Sequence, residues 1–308
     1  QKHRYFFTIA CFIILCLPRP LHCFCFKPFS YVLFMAILIF FVAHWYLSLF
    51  AQSFFMHRYA AHGAFTMSKG WEKFFYWFSF IAQGSTYMSP RTYGILHRLH
   101  HAYTDTEDDP HTPMHAKNAF ALMEKTRRSY ADIFNGRVKV DPKFTKNLPD
   151  WKAFDDAAHP WYNRFLWVVV YVSFYAVFAT AWWQFLLVPV HIAMGPIHGG
   201  IINWYAHKYG SVNFKMNNTS TNLFYIDVLM LGEAYHNNHH RFPSSINFGV
   251  KRNEIDPIYF TILLFNKLGI IKVDKQAQQQ IRATGLKLLA VPAEANNPIY
   301  QKQPQEVE

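Results

Sequence analysis

Carboxylates are scarce in this chain. No Asp or Glu occurs before Glu72, and charged side chains make up only 16% of the 308 residues while aromatic ones make up 19%. So thin a cover of charge excludes an ordinary water-soluble enzyme, in which about a quarter of residues are charged. Cysteine is equally confined, to Cys11, Cys16, Cys23 and Cys25. No C-x-x-C pair or spaced disulfide framework is present, so the redox compartment must be inferred from topology. Glycine-rich flavin and nicotinamide fingerprints are absent, as is a haem-binding domain, so electrons for any redox chemistry have to come from a separate protein. The formal charge of +11 is spread over loops rather than gathered in a stripe, which argues against nucleic acid as a partner. It suits a face beside anionic headgroups, anionic substrates or an acidic redox partner.

What the chain has instead is apolar blocks. Residues 31–55 carry no formally charged side chain, and their 25 residues exceed the ~20 needed to cross a bilayer core. Residues 165–206 are uncharged for 42 residues, long enough for two crossings with Trp182, Trp183 and Gln184 at the turn. The run Trp71 to Met88, interrupted by Gln83, Gly84 and Ser85, reads as an interfacial or re-entrant helix. Ser89-Pro90 then reads as the cap and first residue of another helix. Lys and Arg are abundant in 56–164 and after 207 but missing from the turn at 182–184. By the positive-inside rule those basic regions face the cytoplasm. The expected fold is an all-α integral membrane protein, a transmembrane helix bundle with a cytoplasmic cap.

The first residues are harder to place. Residues 5–17 are apolar, but 13 helical residues reach only ~20 Å, and Pro18-Arg19-Pro20 stops a helix. They read as a signal peptide, a first crossing, or a leader preceding a functional start at Met35; the last is preferred. The expected organisation is a leader over 1–34, a membrane domain over 35–275, and a C-terminal helix and disordered tail over 276–308.

Three histidine clusters interrupt the apolar blocks: His57-Arg58-Tyr59-Ala60-Ala61-His62, His97-Arg98-Leu99-His100-His101 and His236-Asn237-Asn238-His239-His240. On an α-helix positions i, i+3 and i+4 share a face, so each H-x-x-H-H run can aim three imidazoles at one centre. His57 and His62 differ, since i and i+5 lie about 140° apart on a straight helix. One of them leaves the helix end, or the helix deforms there. Asn203 and His207 add an amide and a ninth imidazole at i, i+4. A single box is readily explained as a surface helix, but three beside membrane boundaries are not. Nine imidazoles exceed what one tetrahedral zinc uses, and two metals sharing the set is the simpler account.

The order H-x4-H, H-x-x-H-H, N-x-x-x-H and H-x-x-H-H, with Asp105-Thr106-Glu107-Asp108-Asp109-Pro110-His111 after the second box and Gly232-Glu233 before the third, resembles the membrane-bound fatty-acyl desaturases of the stearoyl-CoA (delta-9) type, in a bacterial-like form without a fused haem domain. The similarity covers most of residues 35–260. It implies a di-iron centre held by His57, His62, His97, His100, His101, His207, His236, His239 and His240, with Asn203 reaching the metal through water. It also implies oxygen-dependent insertion of a cis double bond into a saturated acyl chain, commonly at delta-9, with a cytochrome- or ferredoxin-type electron donor, in a multi-pass protein of a bacterial cell membrane. Asp105, Asp109 and Glu233 match acidic positions of the family pattern and are candidates to orient metal-bound histidines. His198, near Asn203 in an apolar block, is a further candidate, whereas His191 reads as helix packing or hydrogen bonding across the bundle.

Iron and dioxygen supply the oxidant that an unactivated methylene requires and that redox-silent zinc does not. A histidine-rich hydroxylase or ketolase is the alternative, and a non-enzymatic metal carrier a third. The N-x-x-x-H element and the acidic loop favour the desaturase. One departure from the family stands out. An Arg-Asp pair that helps recognise the CoA headgroup typically precedes the second box, where this chain has Ile95 and Leu96. Acyl-CoA remains the expected substrate, with acyl-lipid or carrier-bound chains as the rival. Arg98, Lys125, Arg127, Arg128 and Lys208 are the cations available to compensate.

Overall fold

A computed structural model describes residues 19–290, with side chains from residue 33 onward. The apolar stretch 5–17 and the tail from Val291 lie outside the described residues. The chain is mostly helical. Helix α1 (Arg19–Phe50) passes without a break into a π-helix over Ala51–Ala61. The proposed boundary at Met35 therefore falls inside a helix. Leu33–Ala61 is long and apolar enough to cross a bilayer.

After the first histidine box come strand β1 (Thr66–Met67) and helix α2 (Lys69–Gln83), capped by Ser68. Helix α2 buries Phe75, Tyr76 and Ser79 while exposing Trp71, Phe74, Trp77 and Ile81. An exposed face that is itself apolar suits a helix lying in the membrane interface. Ser89 caps α3 (Pro90–Tyr103), its hydroxyl accepting from the Thr92 amide, as the Ser-Pro pair foretold. The connecting region holds α4 (Ala119–Phe134), α5 (Pro142–Thr145) and α6 (Lys152–Ala158).

The second apolar block folds as α7 (Trp161–Phe178), a turn through Trp182–Leu187, and then α8 (Val188–Ile192), α9 (Met194–Gly200) and a π-helical stretch over Ile201–Tyr205. The turn falls where expected, with Gln184 Oε1 accepting from the amides of Thr180 and Ala181. The two limbs differ from straight crossings. In α7, Asn163 and Arg164 occupy the first turn, leaving 14 residues from Phe165 to Phe178, about 21 Å of helix. The returning limb bends by 69° between Ile192 and Met194. Pro196 explains the bend, because it has no N–H to offer the carbonyl of Ile192. That carbonyl accepts instead from the Ser85 hydroxyl at 3.1 Å, and Thr86 Oγ1 accepts from the Gly195 amide at 3.3 Å. By length and composition, one helix, or two if the bent pair is one span, can cross a membrane.

Helix α10 (His236–Arg241) carries the third box, followed by α11 (Pro257–Lys267), β2 (Ile271–Lys272) and α12 (Lys275–Leu289). Strand β2 pairs antiparallel with β1, Thr66 opposite Lys272 and Met67 opposite Ile271. This small ladder ties the end of the first box to the C-terminal segment. A core of Phe54, Phe55, Phe65, Phe75, Tyr76, Ile258 and Ile262 fills the space between them. Burying such side chains, at about 1.5 to 3 kcal/mol each, fixes the first box against α2 and α11.

Candidate metal centre

The first box shows why its spacing is five. In a π-helix the amide of residue i+5 donates to the carbonyl of residue i, and the His62 amide donates to the His57 carbonyl at 3.2 Å. His62 is also the cap residue where the π-helix ends. The two physical options left open by the sequence, a deformed helix and an escaping residue, are both realised. Together they turn the His57 and His62 side chains toward one point.

The nine histidines converge in two groups. His57, His62, His97, His101 and His239 form one, and His100, His207, His236 and His240 the other. In the first, Nε2 atoms approach at 3.0 Å for His57 and His239, 2.9 Å for His62 and His97, 3.0 Å for His97 and His101, and 2.8 Å for His101 and His239. In the second they approach at 3.2 Å for His100 and His240, and 3.0 Å for both His207 and His240 with His236. Metal–nitrogen bonds of ~2.1 Å set at right angles place their nitrogens ~3.0 Å apart, the spacing seen here. The boxes are divided between the groups: His97 and His101 serve one, and His100, between them in sequence, serves the other.

Carboxylates decide which nitrogen faces the centre. His57 Nδ1 lies 2.5 Å from Glu233 Oε2, and His100 Nδ1 lies 2.9 Å from both oxygens of Asp109. A neutral imidazole donating from Nδ1 keeps its lone pair on Nε2. Lone pairs aimed at lone pairs across 3 Å repel one another unless a cation lies between them. The donor set thus fits two metal ions, with the nine histidines to hold them. Asp105 stands further off, its Oδ1 3.8 Å from His207 Nδ1, and is joined to that ring through Thr219. Its Oδ2 accepts from the Thr219 amide at 2.6 Å, and Thr219 Oγ1 meets His207 Nδ1 at 3.1 Å. Asp105 itself has φ of 65°, a left-handed conformation that Asp tolerates better than most residues.

Burial sets the electrostatics. It drives His97, His100, His236, His239 and His240 well below the usual imidazole range, with neighbouring imidazoles adding to the effect. Burial also lowers His101 to about 3 and raises Asp109 to about 7. Glu233 goes the other way: burial favours its neutral form, but His57 and Arg58 outweigh that and hold it at about 2.

Several residues escaped the sequence reading. Arg58, wholly buried, donates to Glu233 Oε1 at 2.8 Å and to Asp256 Oδ2 at 2.7 Å, lies 3.8 Å over the Phe248 ring, and contacts Ser53, which also bonds Glu233. Asp256 caps α11 as well, accepting from the amides of Ile258 and Tyr259. Gly232, at φ 93°, lets the chain pass against Asp256, and an added Cβ would press into that carboxylate. An Arg beside the first ligand and the Gly-Glu pair were visible in sequence; their meeting across the fold was not. Asn237 and Asn238, inside the third box, use their amides to hold Phe214, Ser220, Phe248 and Glu254. His111 is buried against His100 with ring centroids 4.2 Å apart, and neither ring nitrogen has a partner among the described residues.

Other expected residues lie elsewhere. His198 joins neither group, since its Nδ1 meets Gln52 at 3.1 Å and its ring stands edge-on to Trp45. Its position on α9, deeper in the apolar block than His207, explains the difference. Asn203 sits half-buried on the π-helical stretch before His207. His191 stacks on His44 with their Nδ1 atoms 2.6 Å apart, and its Nε2 lies 2.9 Å from the Tyr175 hydroxyl, so it both packs and hydrogen-bonds across the bundle. Ile95 and Leu96 are buried in α3. The compensating cations are largely engaged: Arg98 with the carbonyls of Ala61 and Lys146, Lys125 with those of Glu107 and Asp109, Arg127 and Arg128 with Glu124, and Lys208 over Trp204.

Comparison with known proteins adds to this geometry. Residues 29–259 match the family model described as fatty acid desaturase. Delta-9 acyl-lipid desaturase 1 of Arabidopsis thaliana is 29% identical over 234 residues, covering 73% of this chain and 71% of that one. Delta-9 desaturase-like 2 protein, from the same plant, is 27% identical over 233 residues and 73% of each chain. The sn-1 stearoyl-lipid 9-desaturase of Synechocystis sp. is 27% identical over 220 residues, 70% of this chain and 64% of the relative.

Proposed function

We infer, since this chain belongs to the fatty acid desaturase family, that it inserts a double bond at the delta-9 position of a saturated acyl chain carried on a lipid. The observation that carries the reading is the division of nine histidines into a five-membered and a four-membered group with nitrogens at metal-sharing distances. Two irons bound there would supply, with dioxygen, the oxidising strength that an unactivated methylene pair demands. The overall reaction removes two hydrogens from the acyl chain. With two electrons from a separate donor protein and two protons from solvent, dioxygen would leave as two waters.

The residues of the chain orient and enclose this chemistry. Glu233 and Asp109 hold His57 and His100 with Nε2 inward, Arg58 holds Glu233, and Asp105 acts on His207 through Thr219. Asn203 is proposed to reach the second group through water. The helical elements form a multi-pass bundle with the histidine face on the cytoplasmic side, which the distribution of Lys and Arg supports.

Two observations favour a lipid carrier over CoA. Apolar, buried Ile95 and Leu96 offer no headgroup contact, and the nearby cations are engaged within the protein. The names of two relatives, an acyl-lipid and a stearoyl-lipid desaturase, point the same way. The test is to supply iron-loaded protein and an electron donor with one saturated chain as phospholipid, acyl-CoA or acyl carrier conjugate. Mass loss of two hydrogens on the lipid form is the expected product. Preference for acyl-CoA would overturn the carrier assignment, and a gain of oxygen would turn the reading to a hydroxylase.

A further inference from the structure

A cavity of about 240 Å³ that no histidine lines, though it reaches Asn238 of the third box, lies between α11, α12 and the loop that follows that box. Its apolar wall includes Val250, Tyr259 and Leu263, and its polar wall is a stripe of α12. Lys275, Gln278, Arg282 and Gly285 recur at i, i+3, i+7 and i+10, so they share one face. On a helix packed against protein that face is ordinarily the apolar one. Here it turns two cations and an amide toward the cavity.

Two of the four stripe residues have structural duties. Gln278 accepts from the Ile246 amide and donates to the Ser244 carbonyl, both at 2.9 Å, which pins the helix to the loop. Gly285 lets α12 close on Phe242, whose ring a Cβ would meet at 3.2 Å. Lys275 and Arg282 have neither duty nor ion-pair partner among the described residues. The neighbouring carboxylates are engaged elsewhere: exposed Asp274 caps α12 through the amides of Gln276 and Ala277, and Glu254 is held by Asn213, Asn238 and the Val250 amide. Both cations are exposed at the cavity rim, and among the described residues no carboxylate pairs with either, so the pair is open to an anionic ligand.

The surroundings specify its chemistry. The outer face of α11 exposes Phe260 and Leu264, with exposed Leu268 just past its end, as a helix lying in the membrane interface does. A ligand here meets apolar surface on one side and a guanidinium and an ammonium on the other. A planar Arg fork and a Lys point charge suit a phosphate. The volume is below the ~300 to 1,000 Å³ of sites that enclose drug-sized ligands, which fits a headgroup with its acyl chains left along α11. We propose that this cavity is a binding site for the headgroup of an anionic phospholipid, distinct from the metal centre.

The test uses full-length protein in neutral detergent and dioleoyl lipids, which already carry their double bonds, so binding is separated from turnover. Native mass spectrometry should show phosphatidylglycerol retained over phosphatidylcholine. The double substitution Lys275→Gln with Arg282→Gln should cut that retention roughly tenfold, while phosphatidylcholine retention and bound iron stay unchanged. Leu263→Trp, which fills the cavity without altering charge, should also lower phosphatidylglycerol retention. Equal retention of both lipids by the native chain would overturn the proposal. So would undiminished phosphatidylglycerol binding in either folded, iron-loaded variant, or full displacement by glycerol phosphate, which would make the site one for a free phosphate.

Discussion

Glu233 concentrates several interactions on one carboxylate. It fixes the His57 ring, meets Ser53, and shares the buried Arg58 with Asp256. Removing one partner of a buried ion pair is costly, about 3 to 5 kcal/mol, because the other charge is left uncompensated. Glu233→Gln keeps the shape and loses the charge. The expected outcome is weaker metal binding by about 10- to 100-fold, with loss greatest from the five-histidine group. Metal titration followed by total iron analysis reads it; a variant holding iron as tightly as the parent would remove Glu233 from its positioning role. His239→Ala, which deletes a nitrogen from that group, should lower bound iron and abolish turnover.

Elements built around the histidines were legible to different depths. The H-x-x-H-H runs declared their phasing, and Ser89-Pro90 its cap, because both depend only on residues within one helix. The π-helix was half legible: a five-residue spacing demanded a distortion without specifying its kind. The bend after Ile192 was not read from the sequence, and its repair by Ser85 and Thr86 joins residues more than a hundred apart and leaves no local trace. The same holds for Arg58 meeting Asp256, and for the division of one box between two metal groups. Pro18 and Pro20 argued for an early break; the first described helix, α1, starts at Arg19 and runs through Met35, so the boundary expected at Met35 falls within it. Truncation to Met35 removes only Leu33 and Phe34 from the apolar span that ends at Ala61. The remaining 27 residues still exceed the ~20 needed for crossing. Membrane insertion and iron content should therefore survive truncation, as fractionation and metal analysis of the shortened chain would reveal. Normal synthesis without insertion would assign the leader an essential role.

At the scale of the whole molecule, the cluster makes stability depend on pH in a definite direction. Burial holds His101 and His111 at about 3 and His207 at about 4, against 6.5 when exposed. Between those values the unfolded chain binds protons that the folded chain refuses, so acidification favours unfolding. The stabilising contribution is complete above about pH 6.5 and is lost as pH falls toward 4. Asp155 opposes this trend. It accepts from Tyr87 and Ser89, and burial raises it from 3.8 to about 6, so its contribution is lost as pH rises across that window. Burial raises Asp227 to about 6 and Asp109 to about 7 as well, and pushes Asp256 upward, but nine lowered imidazoles around the centre outweigh these carboxyls and the net slope follows the histidines. Iron bound at the proposed centre would steepen it, since protons and metal compete for the same nitrogens. Melting midpoints of metal-free protein in detergent should climb between pH 4 and 6.5 and level off above. The iron-loaded form should melt higher at neutral pH and lose that advantage on acidification. A metal-free midpoint that is flat or falling through the window would mean that the imidazoles are not held neutral by burial, and the reading of nine inward lone pairs would fail with it.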